Sequence, residues 1–420
     1  MQQVSARRDE RLLLRGARVA DGRGLRHERA DLLVDGGRIL AIDPGGIPED
    51  APALRGARIV ELAGLTLVPG LMNAHAHITL DGSPDPGATL AAETPAETAI
   101  RSARRLREVV ESGVTTIRDV GAVGGIDIAL RAMVERDEIL GPRMLTCGKV
   151  ITMTGGHGHW MGVECDGPDE IRKGVRGQIK AGATAIKLMA TGGMMTPNQR
   201  AGAPQLTEAE MAAAVEEAHK ADRVVAAHVE SDDGGRNAVR AGVDSVEHGH
   251  GMGAETIALM LERGTFLDPT ILSDRAILEG GTELGIPDYV VEKCRALSET
   301  LLRTLEIAFA RGVPIAAGND GGAPLVHIGD MVSELEIYGE LGMHPRDALA
   351  AATINDARLF RLPEVGYVEP GWAADLIAVR GDPLARISAL RDPEVVILRG
   401  ALVLDRRVAD GFRVPRAAGA

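Results

Sequence analysis

Hydrophobic and polar positions alternate along this chain in two different textures. At both ends, short β-like runs are punctuated by glycine. Residues 11–68 contain LLLRGARVADG, ADLLVDGGRILAI and ARIVELAGLTLVPG, and the far end repeats the texture in DLIAVRGDP, VVILRGALVL and VADGF. VDGGRI and LRGALVL carry glycine between apolar runs, which is the signature of a tight hairpin. The middle of the chain reads differently. Strand-like runs occur at 68–77, 115–120, 143–153, 185–190, 224–229, 245–247, 265–269 and 315–317. Between most of them lie helix-length segments rich in Ala, Glu and Arg, such as 95–112, 207–221 and 289–311. Strands that alternate with helices pair in parallel, and eight such units close a barrel. The expected architecture is therefore α/β. A (β/α)8 TIM barrel over 69–364 is accompanied by a small β-sandwich domain formed by both termini, 1–68 and 365–420.

Composition narrows this picture. The chain of 420 residues exceeds the usual single-domain size, and its 45% hydrophobic content suffices for a large core. Aromatic residues make up only 2%, so Val, Ile, Leu, Met and Ala must fill that core. A formal net charge of -13 argues against nucleic acid or an anionic membrane surface as partner. Three widely spaced cysteines, Cys147, Cys165 and Cys294, fit a reducing compartment better than a disulfide framework. The opening MQQVSARRDERLLLRGARV has no apolar core of signal-peptide length, since Arg15 interrupts LLL. No apolar run approaches the ~20 residues that span a bilayer. These features predict a cytoplasmic globular protein.

Candidate chemistry clusters at the ends of the strand-like runs. The first run continues as LVPGLMNAHAHITLDG, and the i, i+2 spacing of His75 and His77 puts both rings on one face of a strand. In ATAIKLMATGG, Lys187 sits inside an apolar segment where an uncompensated ammonium is costly. It either snorkels to the rim or is neutralised, and a neutral amine can react with CO2 to give an anionic carbamate. VVAAHVE ends on His228, DSVEHGHG holds His248 and His250, and IAAGNDGG places Asp320 at the eighth tip. His75, His77, Lys187, His228, His248 and Asp320 thus fall at five predicted strand ends, where the loops of a barrel converge. Imidazole and carboxylate donors suit zinc or another borderline divalent ion. His27, His219, His327 and His344 read as structural.

As a set these motifs resemble the amidohydrolase superfamily, and within it the branch of Xaa-Pro and other dipeptidases, imidazolonepropionase-like proteins and ochratoxin-type amidases. The resemblance rests on VPGLMNAHAH, TGGHG (154–158), IKLMATGG, AGVDSVEHGHG, GND and EPGWAADLIAVRGDPL, and so covers nearly the whole chain. It implies two divalent metal ions, with zinc the expected metal. His75 and His77 would hold the more buried ion with help from Asp320, and His228 and His248 the other. N-carboxylated Lys187 would bridge the two along with a hydroxide. Asp320 would act as general base and then acid, and His157 would contact the substrate carbonyl or carboxylate. His159 and His250 would stand near the substrate. Hydrolysis of an amide bond in a small molecule follows from the resemblance, as does a homo-oligomer. Two departures bear on specificity. Glu230 stands where many relatives carry a Tyr that helps hold substrate, and an inward Glu230 would repel a substrate carboxylate. Asn319 replaces Thr beside Asp320. The loops 160–167 and 194–205 are expected to line the substrate mouth. Two alternatives stay open: a mononuclear deaminase acting on nucleobases, which typically shows His-x-x-Glu instead of His228-Val229-Glu230, and a metal-free scaffold.

Overall fold

The computed structural model describes residues 11–408 and the backbone of 412–413. The outer parts of the two expected terminal segments, 1–10, 409–411 and 414–420, lie outside the described residues.

Strands from both ends of the chain hydrogen-bond into one nine-stranded sheet. Its seam is an antiparallel ladder between Leu65–Pro69 and Leu376–Arg380, with Pro69 opposite Leu376. One face buries Leu12, Leu14, Leu32, Val34, Leu67, Leu376 and Ile397 in a core of its own. Both expected hairpins form. Asp35 pairs with Arg38 across Gly36 and Gly37, whose φ angles of 54° and 78° meet the demand of a type I′ turn for two left-handed residues.

The middle of the chain alternates parallel strands with helices. Leu71–Ala76, Val114–Asp119 and Arg143–Thr146 form one parallel ladder. Val150–Thr152, Ala185–Met189, Val224–Val229, Ser245–His248 and Phe266–Asp268 form a second, with Gly162–Glu164 on its edge. Backbone bonds link the two sets: Thr184 N donates to Thr146 O (2.8 Å), Ala316 N to Leu267 O (2.9 Å) and Ala74 N to Ala317 O (2.9 Å). Helices Pro95–Glu111 and Glu208–Lys220 each start at a reciprocal capping box, Thr94 with Glu97 and Thr207 with Glu210. The helices bury Leu106, Val110, Met211 and Val239 against the strands in the largest core cluster. No described helix is long and apolar enough to cross a membrane. All three cysteines are buried free thiols.

Three expected strands differ in detail. The run 68–77 divides at Gly70: Leu65–Pro69 belongs to the nine-stranded sheet, Leu71–Ala76 to the parallel set. A Cβ at Gly70 would lie 2.3 Å from the Thr115 side chain, so only glycine lets the chain pass between sheets there. The run 143–153 divides around Gly148 (φ 64°) into Arg143–Thr146 and Val150–Thr152. The run 315–317 is extended but carries only an isolated bridge, Ile315 to Leu267. Side chains take the remaining polar groups: Asn355 Nδ2 donates to Ile315 O, Tyr338 Oη to Ala316 O, and Ala317 N to Asp356 Oδ1.

Candidate functional site

The parallel strands end on one inner cavity of about 50 Å³. His75 lies in Leu71–Ala76 and His77 just beyond it; Lys187 is the middle residue of Ala185–Met189. His228 lies in Val224–Val229, His248 closes Ser245–His248, and Asp320 follows the extended 315–317 segment. These six line the cavity together with His157, Glu230 and His250. His159 does not reach it. Its side chain is exposed, with Nδ1 bonded to Gly156 O, and the neighbouring Trp160 lines the cavity instead.

Local backbone aims these groups. His248 (φ 65°), Thr270 (φ 50°) and Asp320 (φ 54°) all occupy the left-handed region. For a β-branched residue such as Thr270 that is uncommon, and strain of this kind gathers at functional sites. Gly193, in the turn after the lysine strand, lets the His157 ring approach. A Cβ there would sit 2.5 Å from the ring.

Four rings are held by Nδ1, which turns Nε2 towards the cavity. His75 Nδ1 donates to Glu247 Oε2 (2.8 Å), His77 Nδ1 to Gly121 O (2.9 Å), His248 Nδ1 bonds Thr270 Oγ1 (2.6 Å) and His157 Nδ1 bonds Thr196 Oγ1 (2.9 Å). Behind His75, Glu247 Oε1 accepts from Arg118 Nη2 (2.9 Å) and from Ser245 Oγ (2.5 Å), and Arg118 Nε donates to Ala74 O (2.7 Å). His250 Nε2 donates to Asp274 Oδ2 (2.9 Å).

The Nε2 atoms of His75 and His77 each lie 3.4 Å from Asp320 Oδ1. Ligand atoms of His75, His248 and Asp320 fall within 4.8 Å of one another. The rings of His228 and His248 are 4.7 Å apart, and those of His157 and His228 4.4 Å. His228 Nε2, Glu230 Oε2 and His250 Nδ1 are buried with no hydrogen-bond partner. Native proteins seldom leave such atoms unsatisfied, and a bound group is one way to satisfy them.

Burial sets the protonation states. It drives His75, His228 and His248 well below the ordinary imidazole range, His77 to about 4 and His157 to about 3. The Lys187 charge reinforces burial for His75, His77 and His157. Neutral imidazole is the form that ligates a cation. Lys187, 1% exposed, is itself lowered by burial, with Glu247 and Asp320 opposing. Burial raises Asp320 to about 6 against the pull of Lys187, and raises Glu230 to about 8 against His250. For His250, burial is outweighed by the charge and hydrogen bond of Asp274, and its value rises. Neutral imidazoles facing a carboxylate, with a histidine nitrogen that makes no hydrogen bond among them, form a donor set that fits borderline divalent cations.

Sequence reasoning missed Glu247, Arg118, Thr270, Asp274 and Thr196, which hold the rings. For Arg118 and Glu247 a signal existed. Each is a charge inside an apolar strand, and buried charges require partners of opposite sign.

Residues 66–403 match the model of the amidohydrolase family. Ochratoxinase of Aspergillus niger is 31% identical over 359 residues, 79% of this chain and 73% of that one. Imidazolonepropionase of Geobacillus kaustophilus is 25% identical over 391 residues, 83% of each chain. The crystal structure of a Xaa-Pro dipeptidase with bound methionine superposes with a TM-score of 0.85 at 31% identity, covering 94% of this chain and 99% of that one. The fold is TIM-barrel-like α/β. With the match running through both ladders and every residue of the inner cavity, the chain belongs to the amidohydrolase family.

Proposed function

We propose that the chain hydrolyses an amide-type C–N bond of a small molecule, such as a dipeptide, an N-acyl amino acid, or an aryl amide or carbamate, using two divalent metal ions. One observation carries the reading. Histidines locked through Nδ1 present Nε2 to the same small cavity as Asp320, Lys187 and His228, whose Nε2 makes no hydrogen bond and lies 3.5 Å from Glu230 Oε1. His75, His77 and Asp320 would hold one ion, and His228 and His248 the other, with Lys187 as an N-carboxylate between them. Burial favours the neutral amine of Lys187, which adds CO2 to give the carbamate and releases a proton. Such ions, zinc above all, supply Lewis-acid polarisation of the scissile carbonyl and acidify water at neutral pH.

The chain's own groups do the rest. Asp320 accepts the proton of the attacking water and returns it to the departing nitrogen as the C–N bond breaks. Thr196 Oγ1 meets both Gly158 N (3.2 Å) and His157 Nδ1 (2.9 Å), and with the hydroxyl donating to Nδ1 the ring proton sits on Nε2. His157 then donates a hydrogen bond to the oxygen on which negative charge develops. The methionines around the cavity, Met161, Met189, Met194 and Met195, exclude bulk water and strengthen both interactions.

The same reading has the parallel strands closing a (β/α)8 barrel over 69–364. It assigns the nine-stranded sheet to a small sandwich-type domain made from 1–68 and 365–420. A homo-oligomer in the cytoplasm belongs to it, to be checked by light scattering and by fractionation.

Metal analysis of the purified protein, paired with turnover of an amide panel, tests the proposal. About two ions per chain and chelator-sensitive amide cleavage are expected. Lys187→Ala should abolish turnover and reduce bound metal, with partial rescue by short-chain carboxylates. A folded Lys187→Ala protein that kept both metals and most of its turnover would remove the carbamate bridge. The tight trio of His75, His248 and Asp320 could serve a single ion. One ion per chain, with deamination in place of amide cleavage, would favour the deaminase; no metal at all would favour the scaffold.

A further inference from the structure

The turn that follows the lysine strand forms a wall of the inner cavity. An isolated bridge, Thr191 to Pro204, and backbone bonds of Gly192, Gly202 and Ala203 close its base. Its tip, 193–197, begins at two adjacent glycines. A Cβ at Gly192 would lie 2.5 Å from Arg200 O, and one at Gly193 2.5 Å from the His157 ring. Both positions therefore require glycine, which gives the backbone wide conformational freedom. A tip of this kind needs a hold from elsewhere if it is to stay in one place.

Helix Asp288–Arg311 supplies that hold. Tyr289 and Lys293 stand four positions apart, on one face of the helix, and together grip three carbonyls of the tip. Tyr289 Oη donates to Met195 O (3.2 Å), and Lys293 Nζ donates to Thr196 O (2.6 Å) and Gly193 O (3.4 Å). The ammonium also lies 5.4 Å from the centroid of the Tyr289 ring, within cation–π range. Both hydrogen-bond partners of this half-buried lysine are thus backbone carbonyls. An ammonium carries three donors, enough to serve both at once.

The residue so gripped also holds a ring of the site. Thr196, 1% exposed, meets His157 Nδ1 through Oγ1 (2.9 Å). Met194 and Met195 of the same tip line the inner cavity, and Met195 also lines a second cavity of about 570 Å³ outside it. Lys293 lines neither space. Its reach into the site runs through one residue, because the Thr196 carbonyl it binds and the Thr196 hydroxyl that fixes the imidazole must move together.

We infer that Lys293, with Tyr289, is a positioning residue for His157, setting the orientation of that ring through the backbone of 193–196. The task of His157 on the reacting oxygen rests on the amidohydrolase reading; the hold on its ring does not. A misplacement of about 1 Å can cost roughly 100-fold in rate, so a side chain outside the cavity can govern turnover.

The test removes the ammonium. Lys293→Met keeps an unbranched stem, and Met194, packed against Ile277, Val290 and Cys294, keeps the tip attached. With an amide that the parent holoenzyme cleaves, kcat should fall by about 10–100-fold while KM changes far less. Lys293→Arg, which keeps a cation, should recover most of that loss. In a His157→Ala background, Lys293→Met should cost little more, because both substitutions act on one group. Tyr289→Phe, which drops only the bond to Met195 O, should lower kcat by a smaller factor and serves if Lys293→Met does not fold. A second readout needs no turnover: nitrogen NMR of isotope-labelled histidine rings, with the His157 signals identified by their loss in His157→Ala. The parent should show Nε2 protonated and Nδ1 bare, and Lys293→Met should broaden these signals or move them towards mixed tautomers. A folded Lys293→Met protein with parental kcat, with the same loss in both backgrounds, or with unchanged His157 signals would overturn the inference and leave the hydrolase standing. If the parent cleaves no amide, the hydrolase reading falls, and the ring signals alone decide whether Lys293 holds His157.

Discussion

Asp320 and Glu247 show what single residues contribute to this site. Asp320 faces His75 and His77 at 3.4 Å from each Nε2. Asp320→Asn keeps its shape and one oxygen but removes the carboxylate that we propose as the proton acceptor. Its kcat should fall by about 10²–10⁴ while substrate binding changes little. Turnover measured with and without saturating zinc separates the roles, since full recovery by metal would leave Asp320 a ligand only. Glu247 acts at one remove, through His75. One of its oxygens takes His75 Nδ1, the other takes Arg118 and Ser245. Gln offers only one acceptor oxygen, so either the ring or the guanidinium loses its partner. Glu247→Gln should weaken metal affinity by about 10–100-fold, with kcat at saturating metal recovering most of its value. An unchanged metal Kd would show that Glu247 serves Arg118 alone. The ligand-type residues themselves were legible, because HxH, an apolar-strand lysine and strand-end histidines are local patterns. Glu247 carried a local signal as a charge inside an apolar strand, but that it holds His75 was not legible, because the two lie 172 positions apart in the chain.

At the scale of elements, the helices matched expectation closely: 95–112, 207–221 and 289–311 against Pro95–Glu111, Glu208–Lys220 and Asp288–Arg311. Helix length and Ala/Glu/Arg-rich composition are local, so they read directly from sequence. The 315–317 segment was the harder case. It leads to Asp320, yet it is held by one isolated bridge, a few backbone bonds to its neighbours, and the side chains of Tyr338, Asn355 and Asp356. Tyr338→Phe removes the Tyr338 hydrogen bond to Ala316 O without changing the packing of the fully buried ring. Loss of stability of about 1–3 kcal/mol is expected, read as a lower Tm by calorimetry. A Tm equal to that of the parent would mean that the bond does not hold the segment.

Over the whole molecule, the two ends of the chain share one sheet. Leu376–Arg380 sits inside it, between Leu65–Pro69 and Val395–Leu398. Ending the chain after residue 374 would strip these partners and expose Leu67 and its neighbours at a new edge, so little soluble protein is expected. A soluble 1–374 chain with bound metal, judged by size exclusion and metal analysis, would show that the middle folds without the far end. The net charge of -13 and the low aromatic content narrowed partners and core composition but pointed to no site. What the sequence determined by itself was whatever depends on neighbours a few positions apart: strand and helix type, the glycine hairpins, and donors at strand ends. The tertiary structure alone decided that Gly70 marks a passage between two sheets, that His159 turns outward while Trp160 turns in, and that Arg118, Glu247 and Thr270 lock the rings. It alone set a cavity of about 50 Å³ beside one of about 570 Å³. Those features arise where segments far apart in the chain are packed at van der Waals distance, and no pattern along one strand encodes which distant side chain will fill the space opposite it.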